Sequence, residues 1–198
     1  DHFYLPRLHR AGFAAPNLKD IQTNEHAAGG YVIEPTPGIY ENIIVLDFKS
    51  LYPSIIQTFK IDPYSLLMKD VDTIQTLNGY KFSASLHILP DFINELMKLR
   101  DIAKKKKDKQ LSQAIKILMN SFYGVMGSYG CRFYHPDLPR AITGSGHKLL
   151  LGSKDYLENK GLKVVYGDTD SLFVMLNDIS VDDGEAQGKK IVKELNHF

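Results

Sequence analysis

The hydrophobic period of this chain changes after Gly161, and that change dictates a mixed α+β fold. From Pro90 up to it, apolar residues recur at helical spacing. A helix is expected from Pro90, with Phe92, Ile93, Leu96, Met97 and Leu99 on its inner side, and a second from near Ser112, where Ile115, Leu118, Met119 and Phe122 recur until Gly124. The short polar stretch between them implies an antiparallel helical hairpin. Residues 139–158 read as another helix, stopped by Asn159-Lys160-Gly161. Beyond it, residues 162–166 and 171–176 are strand-like runs around Gly167-Asp168-Thr169-Asp170, the signal of a β-hairpin. Ile43-Ile44-Val45-Leu46 is a third such run, continuous enough to suit a buried strand, and it ends at Asp47. A short helix from Leu51, stopped by Asp62-Pro63, and a final helix from about Gly184 complete the pattern. Residues 1–38, with four Pro and four Gly, read as loops and short extended pieces.

The acidic residues stand at the strand ends. Residues i and i+2 of a strand point the same way, so Asp168 and Asp170 are expected to share one site while Thr169 faces away. If the strand ending at Asp47 lies beside the hairpin, three carboxylates converge in an otherwise apolar sheet, a repulsive arrangement without cations. Hard oxygen donors of this kind suit Mg²⁺. They support phosphoryl transfer with two ions about 3.5–4 Å apart, one activating the attacking oxygen and one steadying the leaving oxygen. Taken alone, Asp-Thr-Asp is also ordinary turn chemistry, because Asp caps its own backbone. An EF-hand calcium loop fits less well: the sixth-position Gly and the twelfth-position Glu are missing, and Leu172 to Met175 are apolar.

Charge is as localised as the carboxylates. The chain carries 24 Lys+Arg against 23 Asp+Glu, a net charge of +1, which argues against a uniformly basic nucleic-acid wrapper. Yet between Glu95 and Lys116 eight basic residues face three acidic ones. Arg100, Lys104 and Lys107 form one stripe of the first helix, and Lys116, Asn120 and Tyr123 repeat that spacing on the second. Such donors suit a triphosphate. The lysines 105–107 and 109 fit a solvated helix end, whereas Lys116 stands alone in the apolar Ala114-Ile115-Lys116-Ile117-Leu118 and needs a reason to be there.

Composition narrows the class further. With 43% hydrophobic residues in 198, a real core is available. The single Cys131 excludes an intramolecular disulfide framework, argues against a Cys-based zinc cage, and suits a reducing compartment. The seven histidines show no paired metal-ligand spacing. No apolar run approaches the roughly 20 residues of a membrane helix, and the start lacks a signal-peptide pattern, so a soluble intracellular chain is expected. Its first residue is not Met, which suits a piece of a longer protein.

Three segments together resemble the signature motifs of family B DNA polymerases. Asp47-Phe48-Lys49-Ser50-Leu51-Tyr52-Pro53-Ser54-Ile55-Ile56 is similar to motif A, Lys116-Ile117-Leu118-Met119-Asn120-Ser121-Phe122-Tyr123-Gly124 to motif B, and Tyr166-Gly167-Asp168-Thr169-Asp170-Ser171 to motif C. The wider wording, including Gly29-Gly30-Tyr31-Val32, Leu111-Ser112-Gln113-Ala114 and Gly130-Cys131-Arg132-Phe133, resembles bacterial members, and the likeness extends over nearly all of the chain from about residue 28.

The resemblance implies an antiparallel palm sheet with helices on one face and an antiparallel helical hairpin as fingers. Residues 1–30 would be a connector, 31–89 the first part of the palm, 90–124 the fingers and 125–198 the second part of the palm. It implies two Mg²⁺ ions held by Asp47 and Asp170, with Asp168 nearby and the Phe48 carbonyl as a further ligand. Ser50 and Leu51 would offer amides to the nucleotide phosphates, and Tyr52 would pack under the sugar and exclude a ribose 2′-hydroxyl. Arg100, Lys104, Lys116 and Asn120 would hold the triphosphate, with Tyr123 and Gly124 near the nascent base pair. Partners would be primer–template DNA, a deoxynucleoside triphosphate and, through other parts of a longer protein, a sliding clamp, in DNA replication or repair at the bacterial nucleoid in the cytoplasm. With 46 residues before Asp47 and 28 after Asp170, exonuclease and thumb domains are not expected, and the chain alone should be feebly active at most. Two departures stand out: Ala27 where the family often has Tyr before the paired glycines, and His147 where many relatives have Arg, here read as a helix-surface residue. A two-metal nuclease and a non-catalytic nucleic-acid-binding module are the competing classes.

Overall fold

The computed structural model describes residues 2–17, 19, 29–128, 130–176 and 181–197. Its elements are α1 (Tyr4–Arg10), β1 (Val32–Ile33), β2 (Ile43–Asp47), α2 (Leu51–Phe59), α3 (Pro63–Leu67), β3 (Thr73–Gln75), β4 (Lys81–Ser83), α4 (Leu89–Lys105), α5 (Lys109–Met126), α6 (Asp137–Asn159), β5 (Lys163–Asp168), β6 (Ser171–Met175) and α7 (Val181–Leu195). They form two units, residues 1–29 with 50–145 and residues 30–49 with 146–198. The expected palm–fingers boundaries at 89/90 and 124/125 both fall inside the first unit.

The second unit is built on a sheet of order β1-β5-β6-β2, antiparallel throughout. Ile44, Val174 and Val164 stand in one row across it and Leu46 and Leu172 in another. Both rows enter a core completed by Ile33, Leu150, Leu157, Leu176 and Ile191, so α6 and α7 cover this face. Alternate residues point the other way, where Val45, Phe173 and Tyr166 form a row and Val45 is 55% exposed. β2 is therefore an edge strand with one open face rather than the buried strand expected from its apolar run. The alternation that separates the two cases is masked because both faces of β2 carry Ile, Val or Leu.

In the first unit, α4 and α5 form the expected hairpin, joined by residues 106–108. The Asp108 side chain accepts the Leu111 amide at 2.9 Å and starts α5 at Lys109, three residues before the expected position. Leu96, Ile115 and Met119 form the seam, flanked by Phe92, Met97 and Phe122. Leu99 is not part of it: the inner stripe runs through Ile93, Leu96 and Ala103, and Leu99 is 51% exposed.

The base of α4 is held by a buried carboxylate, that of Asp62, which the sequence shows only as part of a helix stop. Asp62 accepts the Tyr4 hydroxyl at 2.8 Å and the amides of Ser65, Ile88 and Leu89 at 3.2, 3.2 and 3.1 Å. It thus caps α3 and supplies the start of α4, whose own N-cap, Ile88, has no side-chain oxygen. Burial pushes the Asp62 carboxyl up to about 6 against these hydrogen bonds, and burial beside it drives the Tyr4 phenol far above its ordinary range. Tyr4 belongs to α1, a helix inside the stretch expected to be loops; Tyr4 and Leu8 are its buried positions. The hairpin β3–β4 and the one-turn α3 were also unexpected, being three to five residues each.

Candidate active site

β5 ends at Asp168 and β6 begins at Ser171, so the turn between them is two residues long and these two are cross-strand partners. Ser171 pairs on its other side with Asp47. Asp47, Ser171 and Asp168 therefore occupy one row across three strands, on the face opposite Leu46 and Leu172. The expected i, i+2 alternation of Asp168 and Asp170 does not apply, because the chain reverses between them; the carboxylate in the row of Asp168 is that of Asp47. Thr169 takes φ 54°, and Asp170 is half-buried in the turn, its carbonyl accepting the Phe48 amide at 2.8 Å. Phe48 is half-buried and tied by its backbone to that turn.

Asp47 and Asp168 are exposed, not enclosed by apolar neighbours. Two strand spacings separate their backbones, about 10 Å. Among the described residues no three His, Cys, Asp or Glu side chains are gathered closely enough to hold an ion. The donor set nonetheless fits a hard divalent cation: carboxylate and carbonyl oxygens at one end of an open sheet face, free of competing nitrogen or sulfur ligands in their row. On the helix side, a recess of about 70 Å³ among Leu46, Phe48, Leu172, Val192 and Leu195 reaches Asp47, too small for a nucleotide.

The remaining predicted residues lie in the first unit. Ser50, at φ 53°, is the N-cap residue of α2 without capping it; its hydroxyl oxygen instead accepts from the Arg100 guanidinium at 3.3 Å, and the Arg100 Nε is buried with no hydrogen-bond partner among the described residues. Leu51 is 5% exposed and opens α2, followed by Tyr52. The Tyr52 ring meets that of Tyr123 with centroids 4.6 Å apart, and partial burial raises the Tyr123 phenol above its ordinary value. Two motif A residues thus touch two residues of the helical hairpin. Lys104, Lys116 and Asn120 are exposed, as are Ala114, Ile117 and Leu118, so the apolar setting of Lys116 in sequence is not a buried one. Gly124 is exposed in the last turn of α5, where an added Cβ meets, beyond its own helix backbone, no described atom within 4 Å.

His147, expected on a helix surface, is half-buried with its ring 5.3 Å from that of Tyr31. Ala27, the departure before the paired glycines, lies outside the described residues. Ser171 was not singled out from sequence, although the two-residue interval from Asp168 was the signal that pairs them.

The sequence profile of DNA polymerase family B matches residues 2–198. DNA polymerase II of Escherichia coli K12 is 45% identical over 202 residues, covering 98% of this chain and 26% of that protein. A DNA polymerase of Thermococcus gorgonarius is 32% identical over 98% of this chain and 28% of its own length. The solved family B DNA polymerase of Pyrobaculum calidifontis aligns with a TM-score of 0.65 at 27% identity, over 89% of this chain and 26% of that one. The chain spans about a quarter of the length of these relatives.

Proposed function

The chain belongs to DNA polymerase family B, and from that premise we propose that it carries the nucleotide-transferring palm and fingers of a DNA-directed DNA polymerase. The palm would comprise residues 31–89 and 125–198, entered through residues 1–30, with fingers at 90–124. The observation that carries this reading is the row Asp47, Ser171, Asp168 on an open sheet face, with the Phe48 backbone tied to Asp170 beside it. A long duplex needs such an uncovered surface more than an enclosed pocket.

In the proposed reaction the primer 3′-oxygen attacks the α-phosphorus of a deoxynucleoside triphosphate, and pyrophosphate leaves. Asp47 and Asp170 would be the principal ligands of two Mg²⁺ ions, joined by Asp168 and the Phe48 carbonyl. When bound, the ions supply activation of the attacking oxygen and charge stabilisation on the leaving group. The rest of the work is positioning and electrostatics. The α2 start at Ser50 and Leu51 offers amides to phosphate oxygens, a role its lack of a side-chain cap supports. Arg100, Lys104, Lys116 and Asn120 hold the triphosphate. Tyr52, braced by Tyr123, packs against the sugar and leaves no room for a 2′-hydroxyl, and Gly124 lets the nascent base pair approach α5. The protein would act on primer–template DNA in the cytoplasm.

Incubating the full-length protein with a labelled primer–template, four deoxynucleotides and Mg²⁺ tests this directly. Extension of the primer is expected. Shortening without extension would favour a two-metal nuclease, and retention of the duplex with no change in length would leave only a binding module.

A further inference from the structure

The acidic turn is backed by a contact whose partners lie far apart in the chain. An added Cβ at Gly30 would fall on the Thr169 hydroxyl, with Thr169 Cγ2 at 2.9 Å and Cβ at 3.0 Å. Gly30 has no left-handed φ that would itself require glycine; the space is what forbids a side chain. Among the described residues nothing lies within 4 Å of the corresponding Cβ position at the neighbouring Gly29; the contact is found at residue 30. Opposite it, Thr169 is a β-branched residue at φ 54°, a conformation such residues adopt only when their surroundings impose it. Those surroundings are visible: the Thr169 amide donates to the Tyr31 carbonyl at 2.9 Å, and the Asp170 amide donates to the Asp168 carbonyl at 2.6 Å. Held this way, the Thr169 hydroxyl donates to Asp168 Oδ1 at 2.9 Å.

We propose that Gly30 and Thr169 are positioning residues of the acidic turn: Gly30 lacks a side chain because Thr169 fills that space, and Thr169, wedged there, fixes the Asp168 carboxylate through its hydroxyl. The inference rests on the polymerase reading for the use of Asp168, but the latch itself is a matter of sterics. Its consequence is that the two residues act as a pair. A side chain at position 30 pushes Thr169 off Asp168, and does harm only while Thr169 has a side chain to push.

The test is a double-mutant cycle in the full-length protein, with Gly30→Ala, Thr169→Gly and the double variant. Three readouts are taken: the affinity for Mn²⁺ by electron paramagnetic resonance, kcat and KM for single-nucleotide incorporation, and the melting temperature. Gly30→Ala is expected to weaken Mn²⁺ binding at least about threefold and lower kcat about tenfold, with KM and melting temperature near parental values. In the Thr169→Gly background the same change should cost less than about twofold. Independent, multiplying losses in the double variant would overturn the latch. Should Gly30→Ala not fold, Thr169→Ser and Thr169→Val decide: Ser keeps the hydroxyl and should match the parent, Val keeps the shape and should show the losses, and equal behaviour of the two overturns the proposal. The Mn²⁺ cycle judges the latch alone, whereas a parent protein that incorporates no nucleotide would strike at the polymerase reading.

Discussion

Lys116 and Asn120 lie one residue beyond the buried Ile115 and Met119 on α5, and both are exposed. A charge in that position costs the fold nothing and is available to a ligand. Lys116→Ala should therefore reduce incorporation efficiency about ten- to a hundredfold, the loss of one charge-assisted contact, while Lys106→Ala in the hairpin loop changes it little. Steady-state kinetics on the two variants checks this, and equal losses would mean that the basic hairpin acts through bulk charge. Gly124 gives the opposite signature. Glycine in a helix is less stable than alanine by roughly 0.5–1 kcal/mol, and no other described part of the protein comes within 4 Å of the space a methyl group would take there. Gly124→Ala is expected to raise the melting temperature by about 1–4 °C and, on the proposed reading that the nascent base pair approaches α5 here, to lower incorporation. A variant both more stable and fully active would remove Gly124 from the site. The acidic residues were legible in the sequence because each borders an apolar run, and the Asp168–Ser171 pairing was available from their spacing. The packing of Gly30 on Thr169 was not, since no local pattern reports a contact between residues so far apart.

Among the elements, α4 shows best how local and tertiary signals combine. Its helical period was clear in sequence, yet its start depends on Asp62, which belongs to a different helix cap and reaches Ile88 and Leu89 only in the fold. This carboxyl has a folded pKa of about 6 against an ordinary 3.8, so the folded chain holds the proton more tightly than the unfolded one. Its contribution to stability is then greatest below about pH 4 and is lost as pH rises to about 6, by about 3 kcal/mol in all. Urea unfolding at several pH values between 4 and 7 should show that loss in the parent and a flatter profile in Asp62→Asn; parallel profiles would deny Asp62 the role. The elements missed from sequence share a physical cause. β3, β4 and α3 are too short to show a period, and α1 has Pro6 in its first turn amid a Pro- and Gly-rich stretch. β2 is legible as a strand but not as an edge strand, because a strand with hydrophobic residues on both faces looks buried even when one face is open.

Across the whole chain positive and negative charge nearly cancel, but they are sorted: carboxylates at one end of the sheet in the second unit, an excess of cations on the helical hairpin of the first. A fold that needed only solubility has no reason to sort them so, whereas transfer of a nucleotide calls for anionic metal ligands and cationic phosphate donors in one protein. The mixed α+β class followed from the change of hydrophobic period, and membership of family B from three short motifs; the division into two compact units did not, because the chain crosses between them within α6, where the helical pattern is unbroken. The central claim is that the carboxylates at the sheet end carry the chemistry. Rapid-quench measurement of single-nucleotide incorporation by the full-length protein with Mg²⁺, comparing the parent with Asp47→Ala and Asp170→Ala, tests it most directly. The predicted result is a loss of at least about a thousandfold in the rate for each variant, with melting temperatures within a few degrees of the parent, since Asp47 is exposed and its removal opens no cavity. Near-parental incorporation by either folded variant would contradict the account.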